Sequence, residues 1–258
     1  METRIVETRH ASVRCLEGGA GESLVYLHGA QGMAPDDPLL AALADRFHVF
    51  APFLPGYGET PECGELRDML DFTLHTWDVV EALGVRDPIL VGHCMGGMIA
   101  AEMAAVAPHD VSRLALVAPY GLWLDDHPIP DLFSLLPFEM PGCLFHDPEA
   151  GASLMTAGLK MDDPEFLKDY LVRNARQLGM AGKILFPIPE RGLAGRLHRI
   201  KAPTVIIWGE SDRLVQPIYG PAWRAAIAGS RLVSVPEAGH MVVLEKPDSV
   251  AEAVRGLG

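Results

Sequence analysis

Short, largely apolar runs alternate along this chain with segments of helical periodicity, and no other feature restricts the fold as strongly. Within the runs, apolar residues follow one another instead of alternating with polar ones, so each predicted strand must be covered on both faces. That requirement favours a parallel sheet whose crossover helices pack on both sides. The runs lie at residues 23–27, 48–51, 89–91, 114–117 and 204–208.

Further strands and the connecting helices complete the predicted architecture. Three more strands are predicted near residues 5–9, 13–16 and 231–235. The spacing of apolar residues and the positions of helix breakers predict helices over residues 35–45, 66–83, 95–107, 164–178, 219–228 and 247–255. The predicted fold class is therefore α/β, with a mostly parallel eight-stranded sheet flanked by helices.

Residues 121–197 interrupt this alternation. The segment carries eight of the chain's 21 prolines and several aromatic residues, and it shows no evident strand. We predict a mostly helical cap, inserted after the sixth strand between two core segments at residues 1–120 and 198–258. A chain of 258 residues is long enough to bury a large core around such a sheet.

Composition and charge exclude several classes of partner. The net charge of −13 at pH 7 argues against nucleic acid or an anionic membrane as a partner. The N-terminal segment is polar and no apolar run approaches the length of a membrane span, which predicts a cytoplasmic protein. The four cysteines lack the spacing of a metal site and are expected to be free thiols. Neither a metal nor a cofactor is expected, and a monomer and a homodimer both fit the sequence.

A cysteine lies between glycines where the strand at residues 89–91 turns into a helix. In the stretch GHCMG at residues 92–96, glycines stand two before and two after Cys94, the spacing of a nucleophile elbow. Glycine is needed there because side chains at both positions would collide in so tight a turn. The free N–H groups of the following helix would stabilise a thiolate at Cys94 and an oxyanion beside it. Taken alone, the motif also fits a buried structural cysteine.

Two downstream residues are candidate partners of this cysteine. Asp212 follows the strand at residues 204–208, and His240 follows the strand at residues 231–235. Nucleophile, acid and histidine are expected in this order when each lies on a loop at the carboxyl end of a parallel strand. Taken singly, each residue also fits a structural role in a turn or loop. Their joint placement favours a Cys94–Asp212–His240 triad.

The turn after the strand at residues 23–27 is predicted to complete an oxyanion site. His28-Gly29-Ala30 ends this strand, and its glycine lets a backbone N–H group point inward. The amides of Ala30 and Met95 are therefore predicted to form an oxyanion hole. His28 is predicted to be a structural or pocket-edge residue.

These motifs together resemble those of the α/β-hydrolase fold superfamily, and the resemblance covers essentially the whole chain. It implies a hydrolase in which Cys94 is the nucleophile, His240 the base and Asp212 the acid that orients it. The chain departs from the family's usual pattern at one position, because cysteine stands where serine is usual. A native cysteine and an engineered replacement of serine both fit the sequence.

The favoured activity is hydrolysis of a carboxylic ester or lactone of a small, rather apolar substrate through a covalent acyl-enzyme. A thiolate expels an alkoxide more readily than an amine, so esters are favoured over amides. Two alternatives stay open. One is hydrolysis of a carbon–carbon bond in a vinylogous ketone, and the other is a ligand-binding protein that has lost catalysis.

Candidate substrate-binding residues lie at the strand ends and in the inserted segment. Those at the strand ends are expected at the edge of the pocket, with His93 pointing away from the nucleophile. Those in the insertion would line an apolar pocket, or would form the small core of the cap itself. The candidates are His28, Gly29, His93, Trp123, Phe133, Met140 and Phe145.

Overall fold

The computed structural model describes residues 1–156 and 162–257, and the strands of these residues form one sheet. The strands are β1 (Glu2–Glu7), β2 (Ser12–Gly18), β3 (Glu22–Leu27), β4 (Phe47–Pro52), β5 (Ile89–His93), β6 (Arg113–Val117), β7 (Thr204–Gly209) and β8 (Arg231–Val235). The eight strands follow the spatial order β1-β2-β4-β3-β5-β6-β7-β8. Strand β2 is antiparallel to both of its neighbours, and the other pairs are parallel. The predicted fold class is confirmed.

The central strands are buried along their length, as their apolar sequences predict. Every residue of β5 and of β7 is buried, and so are the last four residues of β3. Strand β1, at one edge of the sheet, exposes five of its six residues. Because the parallel strands all end at the same edge of the sheet, the loops that follow β3, β5, β7 and β8 come together there.

Helices connect the strands and cover the sheet. They are α1 (Pro38–Ala44), α2 (Met69–Ala82), α3 (Met95–Val106), α4 (Met140–Leu144), α5 (Pro148–Thr156), α6 (Pro164–Leu185), α7 (Tyr219–Ala226), α8 (Val242–Glu245) and α9 (Pro247–Arg255). Helix α1 packs against α9, and α2 packs against α3. Among the residues described, no helix combines the length and the apolar character that crossing a membrane would require.

Tertiary packing places some helix ends differently from the sequence prediction. Helix α6 was predicted to end at residue 178, because Gly179 has a low helix propensity. It continues for seven more residues, to Leu185, and buries Met180, Ala181, Ile184 and Leu185 in doing so. The short helices α4, α5 and α8 are absent from the sequence prediction; α4 and α8, of five and four residues, are too short to carry a periodic signal.

The segment between β6 and β7 holds α4, α5 and α6, and its described residues contain no strand. We call residues 121–197 the insertion; residues 157–161 of it lie outside the described part of the chain. Its C-terminal end is tied to α3 by Arg196, whose Nε lies 2.7 Å from a carboxylate oxygen of Glu102. Arg199 adds a hydrogen bond of 2.7 Å to the carbonyl of Ala105. The division of the chain into core and cap stays a prediction.

Candidate active site

The backbone around Cys94 forms the tight strand-to-helix turn that the glycine spacing predicts. Cys94 lies between β5 and α3 with φ of 55° and ψ of −119°, a conformation that side chains rarely adopt. A Cβ atom at Gly92 would overlap the carbonyl of Gly96, and one at Gly96 would overlap the carbonyl of Leu27. Both positions therefore require glycine.

A buried carboxylate–imidazole pair lies beside this turn. Nδ1 of His240 donates to Oδ2 of Asp212 at 2.8 Å, and both side chains are almost fully buried. The other carboxylate oxygen, Oδ1, accepts the backbone N–H groups of Leu214 and Val215, each at 2.9 Å. The acid is thus held in one orientation and fixes the tautomer of the ring.

The charges around His240 favour its protonated form. Burial alone would lower the pKa of His240, but the charge of Asp212, the nearby Cys94 sulfur and the hydrogen bond to Asp212 raise it to about 10. Within the described residues, Nε2 of His240 has no partner that meets ordinary hydrogen-bond geometry. Catalytic hydrogen bonds often form fully only when substrate binds. A protonated imidazole beside the sulfur stabilises a thiolate.

The two amides predicted for the oxyanion hole are free. Neither the N–H of Ala30 nor that of Met95 has an acceptor in the part of the chain that the structure describes. The carbonyl of Gly29 accepts the N–H of Gly32 at 2.9 Å, which closes a tight turn around Ala30. A Cβ atom at Gly29 would lie 2.8 Å from the Cβ of Cys94, so the backbone of this turn lies directly against Cys94.

The hydroxyl of Tyr57 donates to the carbonyl of Ala30 at 3.0 Å and so holds the turn at residues 29–32 in place. We expect Tyr57→Phe to lower kcat/KM for an ester about fivefold, because a neutral hydrogen bond contributes roughly 1 kcal/mol. Steady-state kinetics beside thermal unfolding would test this, with Tyr170→Phe on α6 as the control. A lowered Tm with unchanged kcat/KM would show that Tyr57 stabilises the fold and leaves the site unaffected.

Two further histidines, His28 and His93, form hydrogen bonds to backbone groups around the site. Nε2 of His28 accepts the N–H of Leu54 at 3.0 Å and its Nδ1 donates to the carbonyl of Gly29 at 2.8 Å. Nε2 of His93 donates to the carbonyl of His240 at 2.9 Å. Burial lowers the pKa of His28 to about 4 and that of His93 to about 3, so both are neutral at pH 7. Both ring nitrogens of His28 and Nε2 of His93 bind backbone, which argues against the predicted substrate-binding role.

The expected direction of His93 is corrected by the structure. Its ring does not point away from the site: it packs against the ring of His240, with 5.2 Å between the centroids. Side chains alternate along a strand, but His93 ends β5, where the chain already turns.

The described residues contain no cluster of three or more His, Cys, Asp or Glu side chains able to hold a metal.

A narrow crevice within the insertion is connected to the candidate site through Tyr120, which lines it. The N–H of Tyr120 donates to the carbonyl of Cys94 at 3.1 Å, and its ring lies 6.1 Å from that of His240. The cavity volume is about 20 Å³, enough for roughly one water molecule. Its lining is formed by Tyr120, Trp123, Ile129, Pro130, Asp131, Leu132, Phe133, Leu185, Pro187 and Pro189.

The predicted pocket residues of the insertion divide into two groups. Trp123 and Phe133 line the crevice. Phe145 is buried with its ring against the backbone of Gly151 in α5, so it belongs to the interior of the insertion. Met140 is also buried, with its sulfur 3.9 Å from the side-chain nitrogen of Gln31. The two larger hollows at the surface, of about 520 and 530 Å³, include no triad residue.

Comparison with known proteins fits this geometry. The model of the alpha/beta hydrolase family matches residues 24–253. The chain belongs to this family. Lipase 1 of Psychrobacter immobilis is 26% identical, over 90% of this hydrolase and 75% of the lipase. The 2-hydroxy-6-oxo-6-phenylhexa-2,4-dienoate hydrolase of Burkholderia cepacia is also 26% identical, over 90% and 86% of the two chains. The fold resembles a meta-cleavage product hydrolase from Pseudomonas fluorescens IP01, with a TM-score of 0.79 at 18% identity, covering 98% and 96% of the chains.

Three residues that shape the site were missed by the sequence prediction. Tyr57 and Tyr120 each follow a parallel strand, β4 and β6, and that position is the signal that could have found them. Glu245 lies five residues after His240, and its carboxylate reaches back to the N–H of Gly239 at 2.6 Å. No local pattern indicates a contact of this kind.

Proposed function

We propose that this hydrolase cleaves a carboxylic ester or lactone of a small, neutral and rather apolar substrate through an acyl-enzyme on Cys94. The observation that carries the proposal is the buried Asp212–His240 pair, with the pKa of His240 raised to about 10, beside a cysteine in a glycine-constrained turn. The proposed cycle uses side chains, backbone amides and water.

In the first half of the cycle, the sulfur of Cys94 attacks the substrate carbonyl carbon. A carbon–sulfur bond forms, and the oxyanion accepts hydrogen bonds from the free amides of Ala30 and Met95. The tetrahedral intermediate then breaks its carbon–oxygen bond, and His240 gives its Nε2 proton to the departing alcohol. The acyl group is left on sulfur as a thioester.

In the second half, His240 removes a proton from water as the water oxygen attacks the thioester carbonyl. The carbon–sulfur bond breaks, the acid leaves, and the proton on His240 restores the charged pair with the thiolate. Asp212 keeps Nδ1 protonated throughout, so that Nε2 alone exchanges protons with the reacting groups.

The charge of the crevice lining, and not its small volume, supports a neutral substrate. Its lining is aromatic, aliphatic and proline-rich, and its charged member is Asp131. No basic side chain lines it within the described residues. A carboxylate group on a substrate would therefore meet a negative charge without a cationic partner. We propose that the insertion is a cap and that Trp123 and Phe133 contact the substrate, which requires the crevice to widen from its present volume.

Carbon–carbon bond hydrolysis is the second candidate, and similarity to the Burkholderia dienoate hydrolase favours it. That enzyme is named for an anionic dienoate, whereas the crevice here presents Asp131. For this reason we rank ester hydrolysis first.

The four cysteines are free thiols, which supports the proposed location in a reducing, cytoplasmic compartment. A monomer and a homodimer both fit this proposal.

Rapid mixing with p-nitrophenyl acetate tests the proposal. We expect a burst of p-nitrophenol and an acetyl adduct on Cys94 in intact-protein and peptide mass spectra. Cys94→Ala should lose both, whereas Cys143→Ala, which removes a partly exposed thiol of the insertion, should keep both. A burst that survives Cys94→Ala would falsify the proposal.

The same assay discriminates the remaining alternatives. A ring-fission dienone run beside the ester panel should be turned over poorly, and faster cleavage of the dienone would favour the carbon–carbon hydrolase. Cys94→Ser indicates the origin of the cysteine. A large gain in turnover by the serine variant would point to a site built for serine, because the longer carbon–sulfur bond displaces the attacking atom.

A further inference from the structure

The insertion is bonded to the loop that carries the catalytic acid. We call residues 142–146 the clamp segment. The residues on either side of Asp212 both bind the clamp segment. Arg213 donates to the carbonyls of Gly142 and Phe145, at 3.0 and 2.9 Å. The hydroxyl of Ser211 lies 2.7 Å from Nδ1 of His146. The position of Asp212 is therefore tied to the insertion from both sides.

The same segment is bonded to the loop that carries the catalytic histidine. The N–H of Met241 donates to a carbonyl of the clamp segment at 2.9 Å. The carboxylate of Glu245 bridges the clamp segment and the histidine loop. Its Oε1 accepts the N–H of His146 at 2.8 Å, and its Oε2 accepts the N–H of Gly239 at 2.6 Å. One side chain thus joins the insertion to the residue directly before His240.

The clamp segment and the histidine loop fit tightly. A Cβ atom at Gly239 would lie 2.6 Å from the carbonyl oxygen of Leu144 and 2.7 Å from the carbonyl carbon of Phe145. Glu245 ends the one-turn helix α8, whose Val242 and Val243 are buried. The backbone of Glu245 is therefore held in place close to His240. Charged acceptors make stronger hydrogen bonds to backbone amides than neutral ones do.

We propose that Glu245 is a positioning residue, which aligns the imidazole of His240 with Cys94 by clamping the histidine loop to residues 142–146. The inference rests on the proposed function, since it assigns Glu245 a part in the same triad. Glu245 acts through the backbone of Gly239 and does not touch the reacting atoms.

Loosening the clamp has a specific chemical consequence. Asp212 and Cys94 hold His240 in its charged form, and this depends on the ring's orientation. A misaligned ring loses its proton at lower pH, so the sulfur of Cys94 faces a charged imidazole over a smaller range of pH.

Alkylation of Cys94 by iodoacetamide as a function of pH tests the proposal without any ester. Wild type, Glu245→Gln and Glu245→Ala would be compared with Glu237→Gln, which alters an exposed carboxylate of the same loop that lies 3.5 Å from Lys246. We expect the pH profile of alkylation to shift in both Glu245 variants, because the charge on the neighbouring His240 is then lost at a lower pH. Their rates of acylation by p-nitrophenyl acetate should fall about 10-fold for glutamine and about 100-fold for alanine, as for lost bonds to a charged group. Glu237→Gln should match wild type.

Two results separate this proposal from the proposed function. Absence of an acetyl adduct in wild type would end the ester proposal, while the alkylation profiles would still decide the role of Glu245. Glu245 variants with a lowered Tm but the wild-type alkylation profile would overturn the positioning role. Glu245→Gln keeps the size and one acceptor of the side chain, so it is the variant expected to remain folded.

Discussion

Replacing Asp212 with asparagine should lower kcat/KM for ester cleavage by about 10⁴-fold, the loss typical of removing the acid from a triad. Asparagine keeps an oxygen for the N–H groups of Leu214 and Val215, so the loop should stay in place. Its amide then directs N–H groups at Nδ1 of His240. The ring takes the opposite tautomer, with the proton on Nε2, and cannot accept another from Cys94.

Electrostatics act in the same direction in this variant. Loss of the Asp212 charge removes the largest of the influences that raise the pKa of His240, while burial, which lowers it, remains. The ring would then be neutral at pH 7, and the thiolate would have no cationic neighbour. Both effects reduce acylation more than substrate binding, so kcat should fall and KM should change little.

Steady-state kinetics on p-nitrophenyl acetate and thermal unfolding would measure this effect. Glu210→Gln is the matched control, because Glu210 lies two residues before Asp212 and accepts the exposed hydroxyl of Ser234. It should keep wild-type kcat/KM. A loss of tenfold or less in Asp212→Asn, about 1.4 kcal/mol, would contradict a base oriented by Asp212.

The parts of this site that local sequence determines were predictable. The turn at Cys94 follows from sterics within a few residues, because Gly92 and Gly96 are needed for the turn whatever surrounds it. The sheet was predictable for a similar reason. A continuous apolar run such as β7 is stable only when covered on both faces, and that condition leaves few arrangements.

Contacts between distant parts of the chain were not predictable from one sequence. Tyr57 reaches the carbonyl of Ala30 across 27 residues, and Glu245 reaches His146 across 99. Nothing near either residue marks its partner. The insertion shows the same limit: Phe133 and Phe145 are both aromatic residues in a proline-rich segment, and only packing assigns one to the crevice and the other to the interior.

The stability of the folded chain should fall steeply as the pH drops below about 6.5, because three buried histidines resist protonation. Burial lowers the pKa of His28 and His75 to about 4 and that of His93 to about 3. In the unfolded chain each would titrate near 6.5. Between these values the unfolded chain binds protons that the folded chain does not, so acid shifts the equilibrium towards unfolding.

One buried carboxyl opposes this trend. Burial raises the pKa of Asp37 to about 6, so the folded chain holds a proton there that the unfolded chain has released, and this contribution is lost as pH rises through 6. Near pH 5 the unfolded chain therefore binds about two protons more than the folded chain, because three histidines add to the difference and one carboxyl subtracts from it. At 1.36 kcal/mol per proton and pH unit, the free energy of unfolding should fall by about 2–3 kcal/mol per pH unit there.

Urea denaturation at pH values from 7.5 to 4.5 would measure this slope, and His75→Leu isolates one contributor. His75 is buried in α2 with no partner for either ring nitrogen among the described residues, so leucine should fill its space without removing a bond. The slope should fall by about 1.4 kcal/mol per pH unit in this variant. A wild-type free energy of unfolding that stays constant from pH 7 to pH 5 would contradict the prediction, because the folded chain would then bind as many protons as the unfolded chain.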